Sequence, residues 1–269
     1  MTTIRWWQRL GTVCHHHRVT QDPTSAPSRA ESSSTLRQLD ALVASCRACP
    51  RLVGWREEVA AAPRASFAGQ TYWGRAVPGF GPVDARFAIV GLAPAAHGAN
   101  RTGRMFTGDR SGDVLYAALY RAGLASQPES VRADDGMQLF GVRITAPVHC
   151  APPANKPTPQ ERDTCAPFIS RELELLRPEV VMVLGAFGWQ ALLSSLESTG
   201  WTIPRPRPKF GHGAEAVVSR PAPGSAGAAR RLTLLGCYHV SQQNTFTGTL
   251  TPAMLDAVLH RAKQLVGLP

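Results

Sequence analysis

The 269-residue chain is 43% hydrophobic and carries 29 basic against 19 acidic side chains, a formal charge of +10 at pH 7; this size supports one large domain or two small ones with ample core. No run reaches the roughly 18–20 apolar residues of a membrane span, and the start lacks the pattern of an export leader, so a cytoplasmic protein with no membrane partner is expected. The positive charge, nearly all arginine, suits a polyanionic partner, although an arginine-rich solvated surface would explain it equally well.

Residues 1–34 combine a basic start, the run CHHHR around Cys14 and the stretch QDPTSAPSRAESSS. Such polar, Ser/Pro-rich sequence cannot bury a core, so a disordered tail is expected there and a single domain over 35–269. Helical periodicity begins with TLRQLDALVASC, where Leu36, Leu39, Leu42 and Val43 share a face and Thr35 can cap. FAIVGLAP reads as a buried strand, SGDVLYAALYRAGL as a helix and LFGVRITAPV as a strand. ERDTCAPFISRELELLRP reads as a helix, VVMVLGA as a strand and FGWQALLSSLE as a helix. The segment 204–230, rich in Pro, Gly and Arg, looks like a mobile insertion; RLTLLGCYHV is the last strand and TPAMLDAVLHRAKQLVGL the last helix. Alternating β and α units predict a three-layer αβα domain with a central, mostly parallel four-stranded sheet. Ligands of such sheets gather beyond the carboxyl ends of the strands, where the loops 91–110, 146–160 and 239–249 would lie.

Cys46 and Cys49 form a CxxC knuckle, and Cys150 and Cys165 make a wider pair. In a reducing compartment these suit metal ligation better than disulfides. The spacing leaves zinc and an iron–sulfur cluster both open, with scattered core cysteines as the third reading. Cys14, in the tail, and Cys237, in a strand, are spare.

The first loop, GLAPAAHGANRTGRMFTGD, places four glycines among amide and basic residues directly behind a strand. Taken with HVSQQNTFTG at 239–248, CAPPANKPTP at 150–159 and the four cysteines, it resembles family 5 (type b) of the iron–sulfur uracil-DNA glycosylases. The resemblance spans residues 35–269. Leu92 stands where the related family 4 carries an acidic residue, and Ala95 where many glycosylases place a polar catalytic one.

The resemblance implies a monomeric base excision repair enzyme that hydrolyses the N-glycosidic bond of uracil in DNA and leaves an abasic site, with hypoxanthine among its further substrates. It also implies a [4Fe–4S] cluster on Cys46, Cys49, Cys150 and Cys165. Such chemistry needs donors aimed at the leaving base more than a strong nucleophile. His239 is then the leading donor, Asn155 a contact to base or water, and Asn100 the first candidate for holding the attacking water, ahead of Asp109. Phe106 would stack on the extruded base. Gly91, Ala93 and Ala95 would let backbone approach it, and His97 would border the same pocket. Arg101, Lys156, Ser241, Gln242, Gln243 and Asn244 would touch the DNA, with Arg205 and Arg207 as further phosphate partners. Two rivals remain: a non-catalytic iron–sulfur or zinc module that binds nucleic acid, and a nucleotide-binding transferase. The second is weakened because the loop holds neither GxxxxGK[ST] nor GxGxxG.

Overall fold

The computed structural model describes residues 25–221 and 229–269; the remainder of the expected tail, with Cys14, lies outside them. Thr35 accepts a hydrogen bond from the Gln38 amide and opens helix α1 (Leu36–Ala44). Helix α2 (Pro50–Ala61) starts one residue past the CxxC knuckle, with proline at its first position, where the missing N–H costs nothing. Strand β1 (Phe87–Val90) leads through the glycine-rich loop and the short α3 (Ala99–Thr102) to α4 (Arg110–Arg121). Strand β2 (Val142–Thr145) is followed by α5 (Pro159–Leu176), then β3 (Val180–Leu184) and α6 (Ala186–Ser198). Strands β4 (Glu215–Pro221) and β5 (Ala229–Cys237) precede α7 (Gln242–Phe246) and α8 (Pro252–Val266).

One sheet runs in the order β2-β1-β3-β5-β4. Every pair is parallel except β4 with β5. The sheet therefore has five strands, one more than the sequence pattern predicts. The extra strand falls in the segment read as a mobile insertion, where Val218 and Ala216 alternate with exposed Glu215 and Val217. Its outer edge is met by a bridge from Thr202 to Ser219, and the β2 edge by one from Phe80 to Ile144.

Alternation along the strands sends side chains to two cores. Ala88, Val90, Val181, Val183 and Leu234 face α1, α5 and α6 in a cluster with Leu39, Phe168 and Trp189. Phe87, Ile89, Val180, Met182 and Leu235 face α4 and α8, among Leu115, Leu119, Leu255 and Leu259. Helices thus cover both faces, and burying each large aliphatic side chain stabilises by about 1.5–3 kcal/mol. Packed structure extends upstream of Thr35. Ala30 is fully buried, and Arg171 of α5 donates from Nε and Nη2 to the Ser33 carbonyl at 2.9 and 2.7 Å, so residues 25–34 belong to the body.

Candidate active site

The carboxyl ends of β1, β2 and β5 open onto a single cleft of about 380 Å³. Strand β1 contributes Leu92 to Ala95, Phe106 and Asp109 through the loop that follows it; β2 supplies Ala146 and Asn155; β5 leads to His239, Ser241 and Gln243. Three sequence-distant loops meet here because parallel strands release their chains on the same side.

The glycines of the first loop mostly make room for other side chains. A Cβ on Gly91 would lie 2.8 Å from Cε2 of Phe106, so its absence lets the phenylalanine ring settle against the end of β1. Phe106 itself takes a left-handed backbone (φ 53°), a strained choice for an aromatic residue. A Cβ on Gly98 would stand 1.9 Å from Oδ2 of Asp109, so that glycine admits the carboxylate. The other oxygen of Asp109 accepts the Gly112 amide at 3.0 Å and caps α4. Burial holds the Asp109 carboxyl above the usual range. The loop base is stapled by Arg104, which is 5% exposed and donates to Thr107, Ser130 and Asp135.

His239 sits at the end of β5 with its ring centroid 6.2 Å from that of Phe106, the planes 35° apart. Burial alone pushes its pKa down to about 4, so the imidazole is neutral at pH 7. Across the cleft, Asn155 is exposed on a turn where both it and Ala154 are left-handed. That turn is tied down behind it. Thr158 and Glu161 form a capping box at the start of α5, and Arg51 donates to Glu161 at 2.7 Å and to the Lys156 carbonyl at 3.2 Å.

A second, enclosed cavity lies behind α2. Cys46, Cys49, Cys150 and Cys165 all line it, with Leu52, Val148 and Phe168 among its apolar walls. Burial, and then the neighbouring cysteines, push the Cys49 thiol up to about 12; burial also raises Cys150 to about 11. Arg56, 1% exposed, donates from Nη1 to Sγ of Cys150 at 2.9 Å and from Nη2 to the Cys46 carbonyl at 2.8 Å. Among the described residues no group of three or more Cys, His, Asp or Glu side chains is placed to hold a single metal ion.

Residues 78–263 match the uracil DNA glycosylase superfamily. The type-5 uracil-DNA glycosylase of Mycobacterium tuberculosis is 55% identical over 241 residues, covering 89% of this chain and 85% of the relative. That of Thermus thermophilus is 51% identical over 226 residues, 83% of this chain and 95% of the relative. This chain belongs to the type-5 uracil-DNA glycosylases. The type-4 uracil-DNA glycosylase of Thermotoga maritima is more distant, at 35% identity over 111 residues, 41% of this chain and 50% of the relative.

Not every residue singled out from the type-5 motifs faces the cleft. Ala93, Ala95, Phe106, Asn155, His239, Ser241 and Gln243 line it, as does Asp109. Asn100 does not: it is fully buried on α3, and its Nδ2 donates to the Arg56 carbonyl at 3.2 Å. Gly91 lies beneath Phe106 and presents no backbone to the cleft. His97 turns into an aromatic group, with Nδ1 3.0 Å from the Tyr72 hydroxyl and its ring stacked on Phe67. Arg101 stacks over the same Phe67 and donates to His97 O, Gln70 Oε1 and Gly108 O, so it braces the motif from within. Asn244 uses its amide on the His239 carbonyl at 2.8 Å. Lys156 and Gln242 are exposed beside the cleft. Arg205 and Arg207 both pair with Glu197. Arg56 was not legible in the sequence, where its charge gave no sign that the side chain is buried. Nor were the small walls Ala99 and Ala146 of the cleft, which look like ordinary loop alanines.

Proposed function

We propose that the cleft receives a uracil extruded from DNA, and that His239, Phe106, Asn155 and Asp109 divide the work of hydrolysing its bond to deoxyribose. By its family the chain is a hydrolase of N-glycosyl bonds in base excision repair. The observation that carries the division of labour is the neutral, half-buried His239 facing Phe106 in an open cleft. As the bond breaks, the sugar gains oxocarbenium character and negative charge collects on the base. An imidazole N–H in a desolvated wall is a strong partner for that charge, and it gives up no water when the charge appears. A neutral ring also avoids binding the ground state as tightly as an imidazolium would.

The Phe106 ring supports the face of the extruded base. Asn155 offers both a donor and an acceptor to its edge from a proline-held turn. Asp109 holds the attacking water: its raised pKa makes it a better proton acceptor than a solvated carboxylate. The burial of Asn100 supports giving that role to Asp109. Ala93, Pro94, Ala95, Ala99 and Ala146 leave the walls small and largely apolar. Such a pocket rejects related bases weakly, because strong rejection needs buried polar groups that the wrong base leaves unpaired. Hypoxanthine and other deaminated bases are therefore further substrates.

The type-5 family commonly binds a [4Fe–4S] cluster. The donor chemistry suits one: four thiols line one apolar cavity, with a buried arginine beside Cys150. Cys46, Cys49, Cys150 and Cys165 would hold it, and bound there it would supply a cross-link between the start of α2 and the segment carrying Asn155. The cleft is lined by residues of one chain, which supports a monomer.

The test is an end-labelled duplex with one uracil, incubated with pure protein and then treated with alkali. A break that appears only after alkali is expected, and it would mean base release without strand cleavage. Bound but unbroken DNA would overturn the enzyme reading in favour of a binding module.

A further inference from the structure

Strands β4 and β5 send Ala216, Val218, Leu232 and Leu234 into the core under α5 and α6, and the same alternation puts Arg220 and Arg230 on that face. The two arginines stand directly opposite each other in the antiparallel register. Like charges so placed destabilise a sheet. Both guanidinium groups lie over the ring of Trp201, 5.1 and 5.2 Å from its centre, and that ring is itself part of the core.

Acids do not balance them. Glu174 of α5 lies 3.6 Å from Arg220 and is already held by Arg171 at 2.9 Å. Arg230 pairs with no carboxylate among the described residues. Its Nη2 donates to the Leu173 carbonyl at 3.3 Å, which also accepts the Arg177 amide at 3.1 Å, so the exposed Arg177 at the end of α5 joins the group. Burial, and then Arg220 and Arg177, pull the Arg230 pKa down to about 10. A helix C-terminus welcomes a cation, but here Arg171, Arg177, Arg220 and Arg230 share one glutamate. Such crowding costs the fold, and a bound anion relieves it.

The group is separate from the cleft. Arg230 begins β5 and His239 follows its end, which puts about 23 Å of strand between them. DNA seated at the cleft faces the other end of the sheet. Beside the arginines, a pit walled by Leu173, Leu196, Trp201 and Arg230 admits about one water-sized group, too little for a base. The Arg220 side chain is only 19% exposed. Recessed guanidinium groups suit carboxylates on flexible stems, which reach in and pair through two bonds, better than the convex phosphate rail of a duplex. We propose that Arg177, Arg220 and Arg230 dock an acidic segment of a partner protein while DNA occupies the cleft. Binding there is independent of the excision chemistry.

The probe is a fluorescein-labelled hexaglutamate peptide, titrated by anisotropy at about 0.15 M salt, where scattered surface charge is largely screened. Arg220→Gln combined with Arg230→Gln is expected to weaken its Kd about ten-fold or more, the scale of two lost charge-assisted bonds. Arg37→Gln combined with Arg132→Gln removes the same charge from exposed positions elsewhere and should change Kd about two-fold at most. A saturating uracil-containing duplex should leave the peptide bound. Arg177→Asn keeps a residue that tolerates the left-handed backbone there, and it should weaken binding with the fold intact. If the Arg220 and Arg230 double variant fails to fold, Arg177→Asn decides alone, and an unchanged Kd overturns the docking site. Absence of peptide binding to the wild type, equal weakening by the two double variants, or release of the peptide by the duplex would overturn it as well; the last outcome would make the arginines a DNA contact.

Discussion

The cleft and the cysteine cavity are both concave, and both draw on segments far apart in the chain, but they treat polar groups in opposite ways. In the cleft, His239 and Asn155 stand at strand ends facing open space, and burial sets the imidazole pKa with no charged neighbour to help. Beside the cysteine cavity the buried Arg56 turns both terminal nitrogens of its guanidinium to protein acceptors, Cys150 Sγ and Cys46 O, and only its Nε is left without a partner. Groups left unpaired are available to a substrate, whereas groups already paired fix a shape. The two regions also touch through one residue. Arg56 bonds the cysteines with its guanidinium and accepts Asn100 of the first loop with its carbonyl, so Asn100 connects the regions and serves neither as a ligand.

The sharpest way to break this contrast is at His239. If it is an unpaired group reserved for the leaving base, His239→Ala should lower single-turnover excision by about 10²–10³-fold, the cost of one lost donor to developing charge. The melting temperature should hardly move. A loss of stability with little loss of rate would make His239 another structural residue and erase the distinction.

Arg56→Met probes the other side. It leaves the Cys46 carbonyl and the Cys150 thiol without their donor, and each orphaned acceptor should cost about 1–3 kcal/mol in urea unfolding. Excision per folded molecule should change far less than in His239→Ala. Gly98→Ala tests whether the glycines of the first loop serve packing. The added methyl meets the Asp109 carboxylate, and overpacking of this kind costs about 1–3 kcal/mol. It should also slow excision by displacing Asp109, which rate measurements at saturating substrate would show.

Acid sharpens the comparison further. The folded pKa of His239 is depressed to about 4, below the ordinary 6.5, so the unfolded chain takes up that proton first. Above about pH 6.5 the ring is neutral in both states and this proton leaves stability unchanged; stability falls as the pH drops toward about 4. In His239→Asn, the slope of urea midpoint against pH over that interval should be shallower than in wild type. The smallest effect is expected from Thr158→Ala, which removes half of the capping box behind Asn155. It should cost about 1 kcal/mol in thermal unfolding and leave His239 chemistry untouched.

The sequence carried the parallel strands and their helices plainly, because FAIV and VVMVL are too short and too apolar to be anything but buried strands between amphipathic helices. It also placed the three strand-end loops that surround the cleft. Strand β4 escaped because it follows PRPRPKFGHG, whose prolines and glycines mask a seven-residue alternation further on. The sequence could not show which way Asn100 and Arg101 point, for a related reason. A polar residue in a glycine-rich loop gives no periodic signal of which way it points, and here one is buried and the other stacks on Phe67. The positions of His239 and Asn155 on the cleft wall were readable because each lies in a motif that follows a strand.

The two single bridges at the sheet margins, Phe80 to Ile144 and Thr202 to Ser219, do more than finish the fold. Each interrupts the row of open amides and carbonyls that a marginal strand would otherwise present. Pro221 removes one further donor from the end of β4. Open margins are where chains recruit one another into aggregates. Margins interrupted in this way offer a second copy of the chain less backbone to pair with, so the protein can be concentrated with less risk of edge-to-edge association.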